Sequence, residues 1–134
     1  MKRAHAVNSK RVLDSSVLIA VLNNEPYNED TLDIIPDAMM SSVNCAEVWT
    51  KMHEFGLIGD SRIQPLFDLL KGIELFTESQ AMLTGDLRPI PRAKGLSLGD
   101  RACLATAIEL QADVYTAERK WAELSLPCAV HLIR

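Results

Sequence analysis

Apolar residues along the chain fall into two patterns, separated by punctuation from Pro, Gly, Asn and Asp. Short apolar runs bounded by polar residues read as buried strands: "SKRVLD" ending at Asp14, "DAMMSS", "IELF", "ADVYTA" and "CAVHLI". Between them lie stretches with helical spacing. "SSVLIAVLNN" is apolar nearly all round and predicts a buried helix. "TLDII" predicts a short helix. In "VNCAEVWTKMHEFG" the apolar face is drawn by Cys45, Val48, Trp49, Met52 and Phe55, and Gly56 ends it. "DSRIQPLFDLLKG", "TESQAMLTGDL" with Thr77 as its cap, "DRACLATAIELQ" and the short "ERKWAEL" complete the helices, while "RPIPRAKGLSLG" is a loop. The first ten residues carry weak signals and read as a loosely packed arm.

Strands alternating with helices imply crossover connections, hence a parallel sheet of about four to five strands covered by helices on both faces. At 134 residues the expectation is one α/β domain spanning 1–134. The longest apolar run, Val17 to Leu22, is too short for a membrane span. Lys2 and Arg3 ahead of it mimic a signal peptide, but the run is short and Asp14 interrupts the approach, so the chain reads as cytoplasmic with no membrane partner. Cys45, Cys103 and Cys128 form neither an even set nor a metal spacing, and His5, His53 and His131 are scattered. Structural zinc and a Ser-His-Asp or Cys-His nucleophile are therefore disfavoured. The net charge of −4 argues against broad nonspecific nucleic-acid binding without forbidding a local basic patch.

The acids change the picture. Asp14 sits in the apolar "RVLDSSVLIAVL", where a carboxylate needs a partner. A parallel sheet puts the carboxyl ends of its strands on one edge, where ligands bind. By that rule Asp14 ends the first strand, Glu47 follows "AMMSS", Asp100 opens the helix after the proline-rich loop, and Glu118 follows "VYTA". Asp100 shares a stripe with Cys103, Leu104, Ala107 and Ile108 and is expected to look inward; a helical wheel puts Glu47 on the polar side of its helix. Asp37 and Asp113 precede their strands and belong on the opposite edge. Taken singly, Asp14 and Asp100 also fit helix caps, and Glu47 and Glu118 fit ordinary acids near helix N-termini. Taken together they need compensation, since two carboxylates about 4 Å apart repel by about 4 kcal/mol at an effective dielectric near 20. A hard divalent cation with oxygen ligands, Mg²⁺ or Mn²⁺, supplies it.

"VLDSSVLIAVLNNEP", "SSVNCAEV", "LSLGDRACLATA" and "VYTAERKWAEL" resemble, in order and spacing, the four acidic motifs of the PIN domain, and within it the VapC-type toxins of bacterial toxin–antitoxin pairs. The resemblance runs from about Lys10 to the C-terminus. It implies a Mg²⁺- or Mn²⁺-dependent endoribonuclease, a homodimer, and silencing by a cognate VapB-like antitoxin. Asp14, Glu47 and Asp100 then carry metal-binding and catalytic roles. Glu118 stands where the family more often has Asp, one methylene further out, which leaves the number of metal ions open.

On this reading Ser15 and Thr116 hydrogen-bond the carboxylates or the substrate, and Arg101, Arg119 and Lys120 lie near the acids. The loop residues Arg88, Arg92 and Lys94 are candidate RNA contacts, and ordinary solvated charges otherwise. Trp49 reads as core. Alternatives are a PIN-like nuclease of RNA processing outside a toxin–antitoxin context and a catalytically inactive interaction module. A receiver- or dehalogenase-type phosphoryl-transfer domain fits less well, because Asp14 lacks a neighbouring acid and no lysine follows "VYTA" before Lys120.

Overall fold

The computed structural model describes residues 10–88 and 95–134. Five parallel strands, β1 (Arg11–Leu13), β2 (Ala38–Ser41), β3 (Gly72–Glu74), β4 (Asp113–Thr116) and β5 (Val130–Leu132), form one sheet in the order β3-β2-β1-β4-β5. Among the described residues six α-helices connect them: α1 (Ser15–Leu22), α2 (Thr31–Ile34), α3 (Ser42–Glu54), α4 (Ile63–Leu69), α5 (Glu78–Asp86) and α6 (Leu98–Leu110). Two 3-10 turns, Ile35–Asp37 and Arg119–Glu123, replace the end of "TLDII" and the helix expected over "ERKWAEL". The parallel sheet, its strand number and its single-domain architecture are as the alternating pattern predicts.

Side chains alternate across a strand, so the sheet buries two cores. Leu13 and Met40 face one way, against Val17, Leu18 and Leu22 of α1, Val48 and Met52 of α3 and Leu66 of α4. Val12 and Val114 face the other, against Cys103, Leu104 and Ala107 of α6, Leu87 and Trp121. β1 lies between β2 and β4, and the chain winds outward from it in both directions. The β1/β4 junction is thus the switch point of the sheet, where a crevice opens beyond the carboxyl ends of the strands.

One face was misread in the sequence. The buried stripe of α3 is Asn44, Val48 and Met52, spaced at four residues, and Trp49 stands 46% exposed with its edge on His53. Phe55, at the helix C-cap, is also exposed. Trp49 follows Val48 by one residue, about 100° round the helix, so a stripe centred on 44, 48 and 52 turns its ring outward. The polar Asn44 belongs to the buried stripe, which places the buried face to one side of the apolar positions. Residues 1–9 of the proposed arm lie outside the described residues.

Candidate active site

Asp14 ends β1 and caps α1. Its backbone is extended, its amide donates to the carbonyl of Tyr115 in β4 (2.9 Å), and its Oδ2 accepts from the Ser16 amide (3.4 Å). The cap is only part of its environment. The Ser16 hydroxyl donates to the same oxygen at 2.6 Å and the Thr116 hydroxyl at 3.0 Å. These two hydroxyls are oriented from behind: the Ala117 amide donates to Ser16 Oγ (2.9 Å) and the Glu118 amide to Thr116 Oγ1 (3.0 Å). Each hydroxyl therefore accepts a backbone N–H and directs its single proton at Asp14. Asp14 is 2% exposed, and its second oxygen, Oδ1, is buried with no hydrogen-bond partner.

Three physical effects act on this carboxyl. Burial raises its pKa most, the Ser16 and Thr116 hydroxyls lower it, and the charges of Asp100 and Glu47 raise it further, to about 6. The buried thiol of Cys103 is held well above its ordinary value, first by burial and then by the charges of Asp14, Asp100 and Glu47 among its neighbours. Three acids distant in the chain thus share one electrostatic neighbourhood.

Glu47 reaches it from the side of α3 that reads as polar, because the N-terminus of α6 covers that side. Asn44, fully buried one turn before it, donates from Nδ2 to Glu47 Oε1 (2.8 Å) and to the Gly99 carbonyl of α6 (3.0 Å). Gly99 is buried, and a Cβ there would overlap the Glu47 carboxylate. Asp100 is the third residue of α6 and belongs to a capping box: Ser97 Oγ accepts from the Asp100 amide (3.1 Å), and Asp100 Oδ2 accepts from the Ser97 amide (3.0 Å).

Each of the three acids is held by the protein through one oxygen: Asp14 by Oδ2, Glu47 by Oε1 and Asp100 by Oδ2. In this arrangement no three His, Cys, Asp or Glu side chains among the described residues stand close enough together to hold a metal ion. The donor set is nevertheless all oxygen and anionic, the chemistry that suits Mg²⁺ or Mn²⁺, and the buried Asp14 Oδ1, without a hydrogen-bond partner, fits such a cation.

The remaining candidates divide. The Thr116 hydroxyl donates to Asp14, and the other hydroxyl on that carboxylate comes from Ser16, not Ser15. Glu118 is exposed at the head of the second 3-10 turn, with Arg119 and Lys120 exposed beside it and Lys120 Nζ 3.5 Å from the Gly95 carbonyl. Arg101 is directed at α5, where its guanidinium donates to the Thr84 carbonyl (3.1 Å), so it braces two helices instead of facing the acids. Arg88 is exposed just past α5, and Arg92 and Lys94 lie outside the described residues. Asp113 pairs with His131 (2.8 Å) at the opposite end of β4 from the acids. Ser16 reads in the sequence only as a possible helix cap, while Asn44 and Gly99 carry no signal there beyond spacing, three before Glu47 and next to Asp100.

A doubly wound α/β domain with an acidic group at its switch point is the class that fold and site define. The PIN domain family matches residues 11–126, and the chain belongs to that family. Among solved structures it is similar to the DNA-bound VapBC of Salmonella typhimurium (TM-score 0.74, 17% identity, covering 93% of this chain and 98% of that one). It is similar also to VapBC2 of Rickettsia felis bound to a DNA fragment from its promoter (0.73, 17%, 92% and 98%). A third is VapBC-5 of Mycobacterium tuberculosis, a member of the VapBC family of toxin–antitoxin systems (0.64, 23%, 95% and 99%). At these identities the likeness is one of fold. No curated protein sequence matches the chain. Among the described residues no helix is long and apolar enough to cross a membrane.

Proposed function

We propose that this PIN domain is a divalent-metal-dependent endoribonuclease acting as the toxin of a toxin–antitoxin pair. PIN domains are generally nucleases, and the observation that carries the reading here is the buried Asp14. It sits at the switch point, one oxygen unpartnered, in the field of Asp100 and Glu47. An unpaired buried carboxylate surrounded by like charge is costly as structure and useful as a cation ligand. The VapBC neighbours support the toxin role, with a VapB-like antitoxin as partner; the assembly proposed with it is a homodimer in the cytoplasm.

Asp14, Asp100 and Glu47 would hold the cation, and Glu118, exposed at the head of the second 3-10 turn, would add a fourth carboxylate to the rim. A cation there supplies positive charge against the phosphate and lowers the pKa of attacking water. The protein does the rest. Ser16 and Thr116 fix the rotamer of Asp14, so its Oδ1 is presented without reorganisation. Asn44 and the capping box hold Glu47 and Asp100 in the same way. Arg119 and Lys120, exposed next to Glu118, suit the flanking phosphates, with an affinity that falls steeply with salt.

The test is cleavage of RNA by the purified chain with Mg²⁺ or Mn²⁺ and with EDTA, followed by mapping of the new ends. Cleavage leaving 5′-phosphate and 3′-hydroxyl ends is expected, lost in EDTA and in Asp14→Asn and Asp100→Asn. Cleavage by either variant at near wild-type rate would overturn the assignment. Induced expression that halts growth, relieved by a co-expressed partner, tests the toxin role separately.

A further inference from the structure

The contact between α3 and α6 contains more polar design than packing requires. Asn44 is fully buried, and its amide spends both hydrogens on two acceptors, Glu47 Oε1 and the Gly99 carbonyl, while its own Oδ1 is buried without a partner. An apolar residue would pack there without an unsatisfied carbonyl. Opposite it, Gly99 lies in the first turn of α6, in a helical position where glycine is otherwise unfavourable, and a Cβ there would overlap the Glu47 carboxylate. One feature is a hydrogen bond from α3 and the other an absence of bulk on α6, and both act on the same side chain. Glu47 has a flexible stem, so without them its carboxyl would sample several rotamers in and out of the crevice.

We propose that Asn44 and Gly99 form a cradle that positions Glu47, making them positioning residues that set the cation affinity of the acidic group. This rests on the metal-dependent reading above. Glu47 itself is the ligand; Asn44 and Gly99 touch neither cation nor substrate and act only through the placement of that carboxylate.

Gly99→Ala is the decisive variant, because the atoms it would strike are the far end of a flexible side chain and not backbone. Alanine is the better helix former, which offsets part of the cost of parting Asn44 from Glu47, so the fold is retained. Mn²⁺ binding to the full chain, followed by titration calorimetry, is expected to weaken 10- to 100-fold in Gly99→Ala and in Asn44→Ala. Adding Glu47→Gln to Gly99→Ala should cost little more, since the ligand is already displaced. A readout independent of any cation is exchange of the Asn44 side-chain amide protons by NMR, protected in the wild type and released in Gly99→Ala. Wild-type Mn²⁺ affinity in both single variants, or unchanged amide protection in Gly99→Ala, overturns the cradle. A wild-type chain that binds no Mn²⁺ overturns the metal reading itself, and the cradle's role with it, which separates the two failures.

Discussion

Asp14, the central acid of the proposed cation site, is destabilising as structure. Its carboxyl is pushed from 3.8 up to about 6, chiefly by burial and then by the charges of Asp100 and Glu47. Between these two values the folded chain keeps a proton that the unfolded chain has released. Raising the pH through that window therefore favours unfolding, and a shift of about two units corresponds to about 3 kcal/mol. In metal-free buffer, the difference in stability between Asp14→Asn and the wild type should be small near pH 4, grow to pH 6 and then level off. The variant would be the more stable by up to about 3 kcal/mol, since an amide oxygen still accepts from Ser16 and Thr116. Urea denaturation across pH 4 to 8 measures it. Parallel pH profiles for the two proteins would show that Asp14 does not carry this burden.

At the scale of elements, the helices differ in how they obtain their orientation. α1 is surrounded by core and α6 is fixed by a capping box, but α3 is turned by the stripe Asn44, Val48 and Met52. That stripe makes two aromatic or apolar neighbours unequal. Met52 is fully buried and its truncation to Ala should cost about 2–5 kcal/mol. Trp49, half exposed, should cost under about 1 kcal/mol in the same change. Thermal or urea unfolding of Met52→Ala and Trp49→Ala checks this; equal losses would put Trp49 back in the core. Orientation matters to the site because the same rotation that exposes Trp49 carries Glu47 round to Gly99.

For the molecule as a whole, the sheet collects on one edge acids that come from β1, α3 and α6, which are far apart in sequence. Their repulsion opposes folding, and a cation bound only to the folded chain would offset it. Mg²⁺ or Mn²⁺ at about 100 times its dissociation constant should stabilise the wild type by about 2.7 kcal/mol. The effect should reverse with EDTA and shrink sharply in Asp100→Asn. Differential scanning fluorimetry reads this without any substrate. An unchanged melting temperature at millimolar Mn²⁺ would mean that the acids do not form a cation site.

The alternation of short apolar runs with helical stretches determined the parallel sheet, because each pattern has one period that buries its apolar side. The rule that ligands gather beyond strand ends singled out Asp14, Glu47, Asp100 and Glu118 as candidates and set aside Asp37 and Asp113. Tertiary structure alone decided which of these share a field, since that depends on how α3 and α6 meet and not on the spacing within either. It joined Asp14, Glu47 and Asp100, left Glu118 exposed, and turned Arg101 to the Thr84 carbonyl. It also brought in Ser16, Asn44 and Gly99, whose roles exist only across contacts between elements. Periodicity fixes which side of an element is buried; only packing decides what a polar group on the boundary of that side will touch.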